Sequence, residues 1–318
     1  MKKEHPYTVL AYYLFCPVEK PHQEVRQHKR FLQNYDATAR IYISEQGING
    51  QLCLNTEHVP YYVDWMSQHP LFKETKFKLE GWHEHAFPRL TVKYRKELVA
   101  VDTEVNLSER GEHVSPERWK EMLEDGRQRL LIDVRNDYES RVGHFEGAER
   151  PPCERFREFP EYLQQLRERH DPEKTEVMMY CTGGIRCEVF SAMMKQEGFD
   201  KIYQLDGGVI QYGKSVGSKH WLGKLFVFDD RLTVPLTEEE DTEVVGECHH
   251  CKKPSEAYYN CANMDCNELF LCCPSCLEEK EGCCSEECQN ADRIRPYSHQ
   301  NPHKPFRRWH HYSDHNKA

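Results

Sequence analysis

No apolar run in this chain approaches the roughly 20 residues that a membrane-spanning helix needs, so a helical membrane anchor is not a reading the sequence supports. The opening segment MKKEHPYTVLAYYLF carries two lysines and a short apolar run but lacks a small-residue cleavage site. It reads as a first strand and not as a signal peptide. No motif for haem or flavin is evident, nor a His/His/carboxylate iron set, so no organic cofactor is expected. The chain also lacks an overall positive charge: 43 Lys+Arg stand against 53 Asp+Glu, a net charge of −10 at pH 7. A polyanionic partner would have to be held by local patches. With 318 residues, 38% hydrophobic and 30% charged, the composition is that of a soluble globular protein of two or three domains. Cysteine is what the chain has in excess. Ten of its 15 cysteines fall between Cys248 and Cys288 with CxxC spacing, which argues for metal more than for disulfides and for a cytoplasmic location.

Residues 1–100 alternate strand and helix patterns. YTVLAYYLF, ATARIYIS, GINGQLCLN and FPRLTVKYRKELV read as strands. VEKPHQEVRQHKRFLQNY and HVPYYVDWMSQHP read as helices, giving the order βαββαβ of a split βαβ, ferredoxin-like domain. Residues 115–215 alternate differently: SPERWKEMLED, RLLIDV, a brief helix in NDYES, FREFPEYLQQLRERH, TEVMMYC, CEVFSAMMKQEGF and KIYQLDGG. Strands separated by helices predict a mainly parallel sheet covered on both faces, with functional loops beyond the carboxyl ends of the strands. Residues 216–246 read as a linker or extension, 247–290 as a cysteine-rich module and 291–318 as a basic, His-rich tail.

The stretch YCTGGIRCE puts Cys181 where a buried strand ends and a helix begins. Backbone N–H groups of Thr182, Gly183, Gly184, Ile185 and Arg186 can surround the sulfur, and the helix offers its positive end. Both effects favour a thiolate. Asp133 and Arg135 are expected to organise the loop through an ion pair, and Asp206-Gly207-Gly208 to border the same crevice. A phosphatase cradle needs five residues between cysteine and arginine; here only four separate Cys181 from Arg186. Cys187 is either a resolving thiol or a small buried residue at the helix start. Cys16, Cys53 and Cys153 have no partner spacing and read as buried apolar residues.

LIDVRNDYESRVGHFEGA, CTGGIRC and LDGGV together resemble the rhodanese domain. In a wider frame, SEQGING, FPRLTVKYRKELV, IDVRNDYE, RFREFPE, CTGGIRCE, DGGV and GKLFVFDDR, in this order, resemble the rhodanese-related tRNA uridine hydroxylases over about residues 5–235. The resemblance implies oxygen-dependent hydroxylation of the wobble uridine at C5, with Cys181 as the essential cysteine, molecular oxygen as co-substrate and tRNA as partner. Arg186 is then expected to stabilise charge on the base or to position a phosphate. Two rivals remain at this point: a persulfide-forming sulfurtransferase using the same loop, and a catalytically silent rhodanese-fold binding protein.

The cysteine-rich segment pairs as Cys248/Cys251, Cys261/Cys266, Cys272/Cys276 and Cys284/Cys288. Eight thiolates predict two structural zinc ions, with pairs one and three sharing one metal and pairs two and four the other. Cys273 and Cys283 are spare, and either could replace a neighbour; His249 and His250 read as bystanders. For RNA, cations beside aromatics suit phosphate contact and base stacking. The candidates are Arg89, Lys93 and Arg95 in the first domain, with Lys96 pointing away, and Arg307, Arg308 and Trp309 in the tail.

Overall fold

The computed structural model describes residues 5–237 and 243–297. In the amino-terminal part the chain forms β1 (Tyr7–Phe15), α1 (Pro21–Leu32), β2 (Ala37–Ser44), β3 (Gly47–Asn55), α2 (Val59–Ser67), β4 (Lys78–Trp82) and β5 (Leu90–Tyr94). These strands make one five-stranded sheet in the order β4-β1-β3-β2-β5. One face carries Leu10, Tyr12, Ile41, Ile43, Ile48 and Leu52, which pack with Leu32, Tyr62 and Met66 of the two helices. The alternation of the strands fixes this: shifting any register by one residue would turn its apolar set outward.

The closing strand differs from the sequence expectation. The sequence pattern puts FPRLTVKYRKELV last in the βαββαβ order, but the edge partner of β1 is β4, paired antiparallel from Tyr7↔Trp82 to Ala11↔Lys78. Strand β5 is an added fifth strand, parallel to β2 at the other edge. The segment Lys78–Trp82 has no buried residue, so it lacks the apolar alternation by which a strand is read.

The middle of the chain contributes β6 (Glu112–Val114), α3 (Pro116–Glu124), β7 (Leu130–Asp133), α4 (Asp137–Ser140), β8 (Gly143–Phe145), α5 (Phe159–Arg169), β9 (Glu176–Tyr180), α6 (Ile185–Gln196), β10 (Lys201–Leu205) and α7 (Gly208–Ser215). Strands β6-β10-β9-β7 form a wholly parallel sheet. Its two faces bury separate cores. Ile132, Val177 and Met179 pack with α5 and α6 through Phe159, Leu163, Phe190 and Met194. Leu131, Met178 and Tyr180 pack with α3 and α7 through Trp119, Val209 and Tyr212. Ser115 caps α3 by accepting a hydrogen bond from the Arg118 N–H, with Pro116 at the first helical position.

Beyond these lie β11 (Trp221–Gly223), which pairs with β8, then the hairpin-like pair β12 (Leu225–Phe226) and β13 (Thr233–Val234). The cysteine-rich part holds β14 (Tyr258–Asn260), β15 (Leu269–Leu271), α8 (Pro274–Glu279) and α9 (Glu286–Gln289). Its core is made largely of cysteines, with Tyr259, Phe270 and Leu277. No helix among the described residues is long and apolar enough to cross a membrane.

Candidate active site

Strand β9 ends at Tyr180 and α6 begins at Ile185, so Cys181 sits at the carboxyl edge of the parallel sheet, fully buried. Its Sγ accepts a hydrogen bond from the Gly184 N–H at 3.1 Å. Gly184 caps α6 with φ +104°, a conformation that favours glycine; a Cβ there would also stand 2.8 Å from the Tyr13 hydroxyl oxygen. Gly208 closes the loop from the other side: its φ is +66°, and a Cβ would meet the Cys181 carbonyl oxygen at 2.5 Å. The loop is therefore shaped by glycines at two close approaches, one to the amino-terminal sheet and one to α7.

Burial alone would push the Cys181 thiol up. It is outweighed by a hydrogen bond from the Cys187 thiol, the charge of Arg186, and backbone N–H groups of Arg186 and Cys187, which bring the pKa down to about 5 from 9.0. The group is protonated below that pH and a thiolate above it, so the ionised form prevails at neutral pH. Cys187 moves the opposite way, well upward, because it is buried beside that thiolate. The ultraviolet thiolate absorbance lost in a Cys181→Ser variant should accordingly titrate with a midpoint of about 5. A midpoint near the ordinary 9.0 would remove the preformed thiolate.

Arg186 is not a free cation. Both of its terminal nitrogens donate to the Glu139 carboxylate, NH2 to Oε2 at 2.8 Å and NH1 to Oε1, and its guanidinium lies 5.5 Å from the Phe228 ring centroid. Glu139 is fully buried on α4 and also reaches back to the Asn136 N–H. The arginine thus acts on Cys181 through its charge, while its fork is held by the Glu139 carboxylate, which no local pattern marks as its partner. Glu139 is the final residue of IDVRNDYE. Replacing Glu139 by glutamine leaves Arg186 buried without its counter-charge and should destabilise the protein by about 3–5 kcal/mol in chemical denaturation. A loss below ~1 kcal/mol would mean that the pair is solvated.

Asp133 and Arg135 form a fully buried bidentate pair, Nε to Oδ1 at 2.8 Å and NH2 to Oδ2 at 2.6 Å. Asp133 also accepts from the Tyr180 hydroxyl at 2.8 Å, and Arg135 donates to the Gly143 carbonyl at 2.6 Å. These bonds tie β7, β9 and β8 together beneath the loop, and neither residue lines the cleft beside it. Asp206 and Gly207 make the turn between β10 and α7, which begins at Gly208.

The amino-terminal sheet faces the loop. Its uncovered side and the loop enclose a cleft of ≈ 350 Å³, lined among others by Tyr13, Arg40, Tyr42, Asn49, Gln51, Lys78, Cys181, Arg186 and Phe228. That is within the usual size range of small-molecule sites. The two parts are pinned across it: Lys78 Nζ donates to the Gly183 carbonyl at 2.9 Å, the Tyr13 hydroxyl to Glu188 at 2.9 Å, and Arg40 NH1 to the Phe228 carbonyl at 3.1 Å. Lys78 is not legible from sequence, because the pairing of β4 with β1 brings it to the loop, and Tyr13 is not, because its partner Glu188 lies 175 positions away.

Of the RNA candidates, Lys93 and Arg95 are exposed at the β5 edge, with Arg95 5.0 Å from the Tyr42 ring centroid. Arg89 is exposed just before β5, and its carbonyl accepts from the Ala39 N–H. Arg307, Arg308 and Trp309 lie outside the described residues. Cys53 and Cys153 are buried among apolar groups, and Cys16 packs partly buried against the amino-terminal core.

In the carboxyl-terminal part, two four-cysteine groups could hold a metal ion: Cys248, Cys251, Cys273 and Cys276, and Cys261, Cys266, Cys284 and Cys288, the sulfurs within each lying within 4.8 Å of one another. Pairs one and three converge, as do pairs two and four. The third pair, however, is Cys273/Cys276 and not Cys272/Cys276. Cys273 caps α8, with Pro274 at the first helical position, so Cys273 and Cys276 fall three residues apart on one side of a helical turn. Cys273 Sγ is 3.7 Å from Cys251 Sγ, whereas Cys272 is buried at the end of β15 with its Sγ 3.5 Å from the Cys273 carbonyl oxygen. His250 hydrogen-bonds the Cys283 carbonyl oxygen and is in neither group.

Family models match three stretches: a UPF0176 acylphosphatase like domain at residues 7–98, a rhodanese-like domain at 115–215 and a rhodanase C-terminal domain at 222–289. The last runs from the sequence-defined linker through the cysteine-rich module. Together they define a rhodanese-domain protein with an acylphosphatase-like partner domain. The chain is 56% identical over 312 residues to a protein of Protochlamydia amoebophila named tRNA uridine(34) hydroxylase, covering 98% of this chain and 97% of that one. It is 52% identical over 308 residues to a protein of the same name from Chlamydia pneumoniae, covering 96% and 95%. The chain belongs to the tRNA uridine(34) hydroxylase family. Among solved structures it is similar to a rhodanese-like domain protein from Staphylococcus aureus, 19% identical over 33% of this chain and 94% of that one, with a TM-score of 0.28.

Proposed function

We propose that this protein hydroxylates C5 of uridine 34 in tRNA with molecular oxygen, and that Cys181 is its nucleophile. The observation that carries the second part is a buried thiol with its pKa near 5 at a cleft between the two domains. A thiolate adding to C6 of uracil forms an S–C6 bond and moves the C5=C6 electron pair toward C5 and O4. C5 then becomes electron-rich, which is what oxygen chemistry at that carbon needs. Forming the C5–O bond, losing the C5 proton and expelling the thiolate restores the ring. Insertion of one oxygen atom leaves the other as water, so the balance requires a two-electron reductant.

Within this reading Arg186 is a positioning residue, holding charge beside the thiolate while Glu139 holds it. The two cysteine groups are taken to bind one structural zinc each, because thiolate sets of four favour tetrahedral zinc. The domains then read as residues 1–100, 115–215, an extension at 216–246 and a metal module at 247–290. Sulfurtransfer is the alternative chemistry for the same loop. Purified protein should show little thiosulfate:cyanide activity, while deletion of the gene should remove 5-hydroxyuridine from tRNA in nucleoside mass spectrometry. Turnover like that of a dedicated rhodanese, with the nucleoside unchanged, would favour sulfurtransfer.

A further inference from the structure

Adding a thiolate to C6 places negative charge on O4 of the base, and something in the cleft must meet it. Three cations line the cleft: Arg40, Lys78 and Arg186. Arg186 has its fork on Glu139, and Arg40 is exposed and spends an N–H on the Phe228 carbonyl. Lys78 is different. Among the described residues it donates to a neutral acceptor, the Gly183 carbonyl within the Cys181 loop, lies 5.4 Å from the Tyr13 ring centroid and forms no salt bridge. An ammonium carries three protons, so two remain to donate.

The sheet register shows what lies beside it. Lys78 is paired with Ala11, Ala11 with Gln51, Gln51 with Arg40, and Arg40 with Thr91. The neighbouring row runs Tyr13, Asn49, Tyr42, Lys93. Both rows are on the face away from the helices, because the alternate residues Leu10, Tyr12, Ile41 and Leu52 belong to the helix-facing core. An ammonium stands at one end of this surface beside the thiol loop, amides and an aromatic ring lie across its middle, and an exposed lysine stands at the far edge.

We propose that Lys78 is a catalytic and specificity residue that donates a hydrogen bond to O4 of the target uracil and stabilises the charge that thiolate addition develops there. The proposal rests on the Cys181 reading above. No electrons enter or leave in this step: the sulfur lone pair becomes the S–C6 bond, the C5=C6 pair becomes C4=C5, and the C4=O4 pair moves onto O4. A pure donor also selects the base. Uracil presents an acceptor at O4, where cytosine presents an amino group that Lys78 cannot satisfy. The side-chain amides of Asn49 and Gln51 can each donate or accept, so they hold the base edge without deciding between the two. Tyr42 offers a stacking surface toward Lys93.

Burial brings the Lys78 ammonium down to about 8, opposed by the charges of Cys181 and Asp206 and assisted by Lys214 and Lys76. The donor is thus charged at neutral pH and lost in mild alkali.

The test uses full-length protein and an anticodon stem-loop with 5-fluorouridine at position 34, which keeps C6 open to the thiolate. Intact-mass analysis should show adduct on wild type and none on Cys181→Ser. Lys78→Met should slow adduct formation by roughly 10²–10³-fold, with little change in stem-loop affinity and with the Cys181 thiolate still titrating near 5. Lys78→Arg should recover part of the rate. Adduct formation by Lys78→Met within threefold of wild type would overturn the proposal. So would a slow rate that tracks a lost thiolate, since the lysine would then only brace the loop. Adduct on the Cys181→Ser protein, or no adduct on wild type, would instead overturn the nucleophile reading and the proposal with it.

Discussion

A Cys181→Ala protein should fail to form 5-hydroxyuridine, with turnover down by a factor on the order of 10⁴ or more and with its fold intact. The size of the loss follows from chemistry: without the C6 adduct, C5 of uracil is not a carbanion equivalent, and no second thiol is among the residues that line the cleft. The fold should survive because the loop is held by other contacts. Gly208 packs against its backbone, Lys78 bonds the Gly183 carbonyl and Glu139 holds Arg186. Alanine leaves the backbone N–H groups around the sulfur without their acceptor and removes the charge that faces Arg186, so the alanine protein should lose about 1–3 kcal/mol of stability while remaining folded. Alanine protein that restores the modified nucleoside in a deletion strain, at normal abundance, would show that the thiol is not catalytic.

The second large effect concerns metal. Purified protein should contain two zinc ions per chain, one in each of the four-cysteine groups. Structural zinc contributes about 10–16 kcal/mol in small modules, far more than their apolar core can. Chelation should therefore unfold the segment around residues 247–290 and expose it to protease, leaving the parallel sheet protected. The adjacent cysteines separate the geometry from mere cysteine content. Cys273→Ser should lose one zinc, whereas Cys272→Ser should keep both, because Cys273 and not Cys272 turns toward Cys251. Equal loss in the two variants would contradict this ligand set. Iron with visible absorption in place of zinc would also contradict it.

What could be read from sequence was what is local. The Cys181 loop is one continuous stretch whose glycines, thiol and arginine declare a strand-to-helix turn. The parallel sheet follows from buried runs such as LLID and EVMMY between amphipathic helices. What escaped depends on distant pairing. Lys78 belongs to the cleft only because β4 finds β1, and β4 carries no apolar alternation to announce it. Glu139 was visible as a residue but not as the partner of Arg186, since 47 positions separate them. The choice between Cys272 and Cys273 turns on where α8 starts, and Pro274 is the local signal that could have decided it. The acidic net charge gives no sign that Arg40, Lys78 and Lys93 share one face of the amino-terminal sheet, because that follows from strand register alone.

The central claim, that oxygen enters the uridine ring under the control of the Cys181 thiol, is met most directly by isotope labelling. Cells carrying the gene as their sole source of the modification are grown briefly under oxygen-18 gas, and nucleosides from purified tRNA are weighed. With wild-type protein, 5-hydroxyuridine at position 34 should carry one heavy oxygen atom, and with Cys181→Ala the nucleoside should be absent. Unlabelled 5-hydroxyuridine would mean that the oxygen comes from water, and labelled nucleoside in the alanine strain would take the thiol out of the reaction.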